Sequence, residues 1–282
     1  MSIELPEAKI LAKQMNKALC GKRIKSYDLQ NYARLQKIGM MDKDLTTFKR
    51  ILDQHVLTIM SRGNVIRLKL SNQMNILLAP EYGGKIFYHS TKNSASSKYH
   101  LKIGFDDDTV LTVRLTSMGL IHVATDNELE NLYVYQRDFN EDIASPLDPE
   151  FTFEQFAQLL SEKKKMLKPV LVGKDAIVVG LSNSAFQDIL YRAQLHPKRK
   201  AAELTREEKQ ALYDAMRFVL HERVKMNGKN LFFDLYGNQG GYTPAMGPHM
   251  KQETCRICGT QIEKLSVGGG SVYLCPQCQV AS

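Results

Sequence analysis

The sequence predicts an α+β chain built in several parts: an N-terminal helix with an antiparallel β-sandwich, a helical module, and a C-terminal ribbon organised by metal. Three observations carry this. Apolar and polar residues alternate in short runs up to residue 125, apolar residues recur at helical spacing beyond residue 150, and the C-terminal end holds two Cys-x2-Cys pairs. With 282 residues, 43% hydrophobic and 24% charged, the chain has material for about two domains. Met1-Ser2-Ile3-Glu4-Leu5-Pro6-Glu7 lacks a basic stretch followed by an apolar one, and no later segment approaches a membrane span. A soluble, cytoplasmic protein with no membrane partner is expected.

The first helix starts at Pro6, a favoured first-turn residue, with Glu7 complementing the dipole and Ala8, Leu11, Met15 and Leu19 forming an apolar stripe that Gly21 ends. Strand alternation follows in Ile66-Leu68-Leu70, Leu101-Ile103-Phe105 and Leu111-Val113-Leu115, separated by turn-like segments such as Ser94-Ala95-Ser96-Ser97 and Asp106-Asp107-Asp108. Residues 1–125 are therefore read as helix plus sandwich. Residues 126–150 are acidic, end in Ser145-Pro146-Leu147-Asp148-Pro149, and read as a linker. In 151–226 the period is helical, with Phe153, Phe156, Ala157 and Leu160, then Phe186, Ile189 and Leu190, then Leu212, Ala215, Met216 and Val219. Thr205-x-x-Glu208 is a capping box for the last of these. Residues 227–250, rich in glycine and proline, read as a mobile loop leading to a ribbon over 251–282.

Cys255-x2-Cys258 and Cys275-x2-Cys278 are separated by sixteen residues. Each turn can aim two sulfurs at one centre, and two turns complete the tetrahedral four-thiolate shell of one zinc ion; a pair of disulfides is the alternative. Four thiolates leave no open position, so the zinc is expected to be structural. Gly268-Gly269-Gly270 suits the tip of the intervening hairpin. Cys20, near the end of the first helix, reads as a small core residue.

Net charge is +8, which draws the protein toward polyanions. Lys163, Lys164, Lys165, Lys168, Lys174, Arg192, Lys198, Arg199 and Lys200 concentrate the cations around the central helices. Such clusters are either solvated faces or nucleic-acid surfaces.

Glu4-Leu5-Pro6-Glu7, a sandwich, a helical middle with Gly180-Leu181-Ser182-Asn183 and Leu195-His196-Pro197, and a ribbon beginning Cys255-Arg256-Ile257-Cys258-Gly259 follow one another in a recognisable order. Together they resemble the formamidopyrimidine-DNA glycosylase and endonuclease VIII family, over nearly the whole chain. The resemblance implies that 151–226 is a helix-two-turns-helix module and that the partner is double-stranded, damaged DNA, from which a base is flipped and excised; the asymmetry of a DNA-binding layout of this kind favours a monomer. It matches Asn183 to a phosphate-binding asparagine, with Ser182 or Asn183 as a simple helix cap the plainer reading. Lys163, Lys164, Lys165, Lys198, Arg199 and Lys200 are expected to line the DNA.

The chemical centre departs from the family pattern. Family members attack the sugar with an N-terminal proline amine, and here Ile3 stands in its place, preceded by Met1 and Ser2. An internal amide is no nucleophile. Glu4 matches the family's acid/base glutamate; activation of water by Glu4, or attack by the α-amine of Ser2 after loss of Met1, are two routes to excision. Asn64 stands where the family places a lysine. Tyr82 and Met118 occupy the positions of side chains that fill the vacated base stack, and Gly270 that of the ribbon's DNA-contacting arginine. The expected function is excision of damaged bases by an altered mechanism, with strand cleavage doubtful, or, as the alternative, a catalytically inactive damaged- or bent-DNA-binding protein on the same scaffold.

Overall fold

The computed structural model describes residues 3–80, 83–92, 97–116, 119–173 and 176–281. The chain divides into two compact units, Met1–Asn140 with Met226–Gly241, and Glu141–Lys225 with Tyr242–Ser282.

In the first unit, helix α1 (Leu5–Leu19) starts where Pro6 sets φ, and its N-cap residue Glu4 donates its backbone N–H to the Glu7 carboxylate. Its apolar stripe, Ala8, Leu11, Met15 and Leu19, is fully buried. Strands β1 (Ile24–Leu29), β5 (Lys85–His89), β6 (Leu101–Phe105) and β7 (Val110–Arg114) form one antiparallel sheet in the order β1-β6-β7-β5. Strands β2 (Val56–Arg62), β3 (Val65–Leu70), β4 (Met74–Ala79) and β8 (Leu120–Thr125) form the other in sequence order. Inward residues of both sheets, among them Ile103, Leu111, Val113, Leu68, Ile76 and Ile121, share one core with α1. This is the expected sandwich. Cys20 is half-buried at the edge of that core, its thiol donating to Asn16 Oδ1. A short helix α2 (Tyr32–Lys37) follows β1.

Residues 126–139, acidic and read as linker, are instead ordered on the β2–β3–β4–β8 sheet. They form α3 (Asp126–Leu129), opened by a Thr125/Glu128 capping box, and α4 (Tyr133–Phe139). Leu129, Leu132, Val134, Tyr135 and Phe139 pack on the sheet face carrying Val65, Leu77 and Ala124. The four acidic residues of this stretch mask the apolar ones, which are as frequent here as in the chain as a whole.

The second unit holds α5 (Phe153–Ser161), α6 (Leu167–Leu171), α7 (Asn183–Arg192) and α8 (Arg206–Lys225). Helices α5 and α8 open with the Thr152/Gln155 and Thr205/Glu208 capping boxes. Phe156, Phe186, Ile189, Leu212, Met216 and Val219, the residues that set the helical period, are buried. The hairpin β9 (Glu263–Val267) and β10 (Gly270–Leu274) turns at Gly268 and Gly269, both at positive φ.

The stretch 227–250 is shared out between the units. Residues 226–241 group with the sandwich, while Met246 and Met250 pack with Cys255, Ile262 and Tyr273 in the ribbon's own core.

Candidate functional site

At the start of α1, two carboxylates and one ammonium meet out of water. Lys229 Nζ lies 2.9 Å from Glu4 Oε2, with side-chain exposures of 3% and 0%. Glu7, also buried, accepts the backbone N–H groups of Glu4 and of Lys229, each at 3.2 Å. A buried charge left alone costs several kcal/mol, and the Lys229 ammonium is a partner that offsets that cost for Glu4. Lys229 stands 225 residues from Glu4 in sequence and was not among the expected site residues; nothing in its local pattern marks it.

The segment that delivers Lys229 is fixed on α1 at a second point. Asp234, 2% exposed, accepts from Gln14 Nε2 at 2.9 Å, Asn227 Nδ2 at 3.0 Å and the backbone N–H groups of Tyr236 and Asn238. Leu235 N–H donates to Gln14 Oε1 at 3.0 Å, and Leu235 carbonyl accepts from Tyr88 N–H of β5. Burial opposes ionisation of Asp234, but the donors from Gln14, Asn227 and Asn238 hold its carboxyl below the usual range. Phe232 and Leu235 enter the sandwich core. Gly228 makes the turn possible: its φ is +93°, and a side chain there would collide with the Phe232 ring.

A cation also reaches Asn64, the position where the resemblance places a lysine. Asn64, at the β2–β3 turn, accepts at Oδ1 from Arg137 Nη2 of α4 at 2.7 Å. Arg137 also grips the buried Asp138 carboxylate with Nε and Nη2, and Asp138 in turn accepts from Asn64 N–H. Arg62 donates to the carbonyl of Asp138 at 2.7 Å.

In the second unit the four cysteine sulfurs lie within 4.8 Å of one another. Cys258 and Cys275 are 3.5 Å apart and Cys255 and Cys278 3.9 Å, too far for disulfides and close to the ~3.8 Å that zinc–sulfur bonds of about 2.3 Å impose on a tetrahedron. The donor set fits one structural zinc ion. Backbone N–H groups of Ile257 and Cys278 point at Cys255 and Cys275 sulfurs, and the Tyr191 hydroxyl lies 3.3 Å from Cys255 Sγ. Burial opposes ionisation of Cys255, yet the Tyr191 hydroxyl and the backbone donors bring its thiol down to about 6.

The two basic runs lie side by side. Leu167 N–H donates to Arg199 carbonyl, Ala201 N–H to Lys165 carbonyl and Ala202 N–H to Lys163 carbonyl, around a single antiparallel bridge between Met166 and Lys200. Lys164, Lys165, Lys198 and Lys200 are exposed and Lys163 is half-buried. Arg199 differs: both its terminal nitrogens bind the Glu208 carboxylate at 2.8 and 2.9 Å, anchoring the run to α8. Lys200 pairs with Glu203 at the surface. Lys168 also leaves the surface set. It is 7% exposed, donates to Val267 carbonyl at 2.6 Å, and places Nζ 3.0 Å from where a Cβ on Gly270 would sit. Burial pushes its ammonium down.

Ser182 is the N-cap residue of α7 but makes no side-chain capping bond. Asn183 Nδ2 donates to Ser271 carbonyl of β10 at 2.7 Å, tying the helix start to the ribbon, and its Oδ1 is buried with no hydrogen-bond partner among the described residues. Ser2, Tyr82, Met118 and Lys174 lie outside the described residues.

Family models match three segments in order: the formamidopyrimidine-DNA glycosylase N-terminal domain over 3–117, the formamidopyrimidine-DNA glycosylase H2TH domain over 143–234, and the zinc finger found in FPG and IleRS over 252–280. The chain belongs to the formamidopyrimidine-DNA glycosylase and endonuclease VIII family. Curated relatives include the formamidopyrimidine-DNA glycosylases of Streptococcus pneumoniae, 27% identical over 98% of both chains, and of Bacillus cereus, 28% identical over the same shares. Among solved structures, Lactococcus lactis Fpg in complex with abasic-site DNA superposes with a TM-score of 0.83 at 21% identity, covering 98% of this chain and 99% of that one. The same enzyme with N7-benzyl-Fapy-dG DNA gives 0.84 at 22%, with the same coverage. In this family member the N-terminal model begins at Ile3, whose side chain is buried in the sandwich core. No helix among the described residues is long and apolar enough to cross a membrane.

Proposed function

We infer that the protein excises damaged bases from duplex DNA by cleaving the N-glycosidic bond, a step of base excision repair, with Glu4 taking part and a nucleophile other than the family's proline amine. The observation that carries this is the Glu4 carboxylate, held at the head of α1 within 2.9 Å of a lysine ammonium in a site shielded from water. Such a carboxylate can pass protons to and from a sugar oxygen or a departing base. The relatives' names and the abasic, Fapy-dG and 8-oxo-G DNA bound in solved members favour oxidised or ring-opened purines as the substrate class. Lys163, Lys164, Lys165, Lys198 and Lys200 are assigned to the DNA backbone. Asn183 is assigned to a phosphate through its amide nitrogen and the adjacent α7 terminus. Tyr82 and Met118 are assigned to the vacated stack. The protein acts as a monomer in the cytoplasm.

One observation favours a second reading, a damage-binding protein without chemistry: Glu4 is buried and already neutralised by Lys229. The two readings part in a single assay. Duplexes carrying one Fapy-dG, 8-oxo-G or abasic site are incubated with the protein and developed with and without hot alkali. Alkali-revealed breaks at the lesion support excision, and tight lesion binding with no breaks supports the binding protein. Failure to bind damaged duplex at low salt rejects both.

A further inference from the structure

We propose that Lys229 is the nucleophile: its Nζ attacks the sugar C1′ and carries the opened sugar as an imine, with Glu4 as its proton relay. This rests on the excision reading above.

Base removal requires an electron pair delivered to C1′ and protons for the groups that leave. Two lysines are buried among the described residues, Lys168 and Lys229. Lys168 ends on a backbone carbonyl, which cannot take a proton from it. Lys229 ends on a carboxylate, which can. The amine is shielded from water, the desolvation that activates imine-forming lysines, and the carboxylate beside it can take its proton. Lys229 is also fixed in place. Its own N–H is held by Glu7, its approach is set by the left-handed turn at Gly228, and the Asp234 cluster locks the far end of the segment on Gln14. The amine does not depend on the chain's first residues, which removes the problem posed by Ile3.

The step balances without oxidant or reductant. Lys229's ammonium gives one proton to Glu4, and the neutral nitrogen forms a bond to C1′ as the C1′–base bond breaks. The electron pair leaves with the base, which takes the Glu4 proton. The attached nitrogen then returns a second proton to Glu4, its lone pair closes the C=N bond, and O4′ departs from C1′ carrying that proton. The third proton stays on the iminium nitrogen. With an abasic aldehyde the same two protons leave with the oxygen as water.

Borohydride reduction in the presence of abasic and Fapy-dG duplexes, followed by proteolysis and mass spectrometry of the cross-linked peptide, tests this on the full chain. The expected result is one adduct, on Lys229. K229R keeps a cation beside Glu4 and should keep duplex binding while losing the adduct, a loss that a merely structural lysine does not produce. An adduct on Ser2 or another lysine, no adduct from wild-type protein that binds abasic duplex, or trapping that survives K229R would each overturn the proposal. Alkali-revealed base release with no adduct leaves excision standing and removes Lys229 from it; an adduct on abasic duplex without release of any base does the reverse.

Discussion

Replacing Lys229 with methionine tests whether the pair at the head of α1 holds the first unit together. The side chain keeps its length but loses its charge, leaving Glu4, 1% exposed, without the ammonium that lay 2.9 Å away. Removing one member of a buried pair costs about 3–5 kcal/mol, because the surviving charge stays desolvated. The first unit comprises about 150 residues, and at that size each kcal/mol moves the midpoint by about 2–4 °C, so its thermal transition should fall by roughly 6–20 °C. E4Q/K229M removes both charges and should recover a large part of the loss, since a neutral amide in contact with methionine carries no desolvated charge. Scanning calorimetry of wild type, E4Q, K229M and the double variant closes the cycle, with a coupling above about 1 kcal/mol expected. Additive losses, or a K229M cost below about 1 kcal/mol, would refute the reasoning that the pair is dry and mutually dependent.

Asp234 should give the first unit an acid-sensitive hinge point. Its carboxyl is held below the usual value of about 3.9, so its stabilisation is present above roughly pH 4 and lost as pH falls through the lowered value. D234N should cost about 1–3 kcal/mol at neutral pH, since donors from Gln14, Asn227 and Asn238 then face an amide. Its urea midpoint should also vary less than wild type's between pH 5 and 3. In the ribbon, elemental analysis should find one zinc per chain, and C275S or a strong chelator should melt the Tyr191–Met246–Met250–Ile262 core while leaving the sandwich transition in place. DNA affinity should fall steeply with salt, and K164A and K198A should each reduce the slope of log K against log salt by about 0.9 if each meets a phosphate. R199A should instead lower stability, because Arg199 is spent on Glu208.

Much of the architecture was legible locally. Period-two runs marked strands in both sheets, period-3.6 runs marked α5, α7 and α8, and the cysteine spacing marked a metal centre whose four sulfurs the fold brings within reach of one ion. Each signal is written in neighbouring residues, because a strand, a helix or a Cys-x2-Cys turn is shaped by its own backbone. That Ile3 stands where the resemblance places the family's proline was equally plain. What the sequence by itself could not determine is which charges meet. Glu4 finds Lys229, Asn64 finds Arg137, Lys163–Lys165 lie beside Lys198–Lys200, and the glycine-rich stretch 227–250 is divided between two cores. Those pairings join residues with no shared period, brought together only when distant segments dock, and for Glu4 and Lys229 burial also makes a lone charge too costly to leave unmatched. Residue types and local geometry were set by the sequence pattern; the partners of the buried ions were decided by tertiary packing.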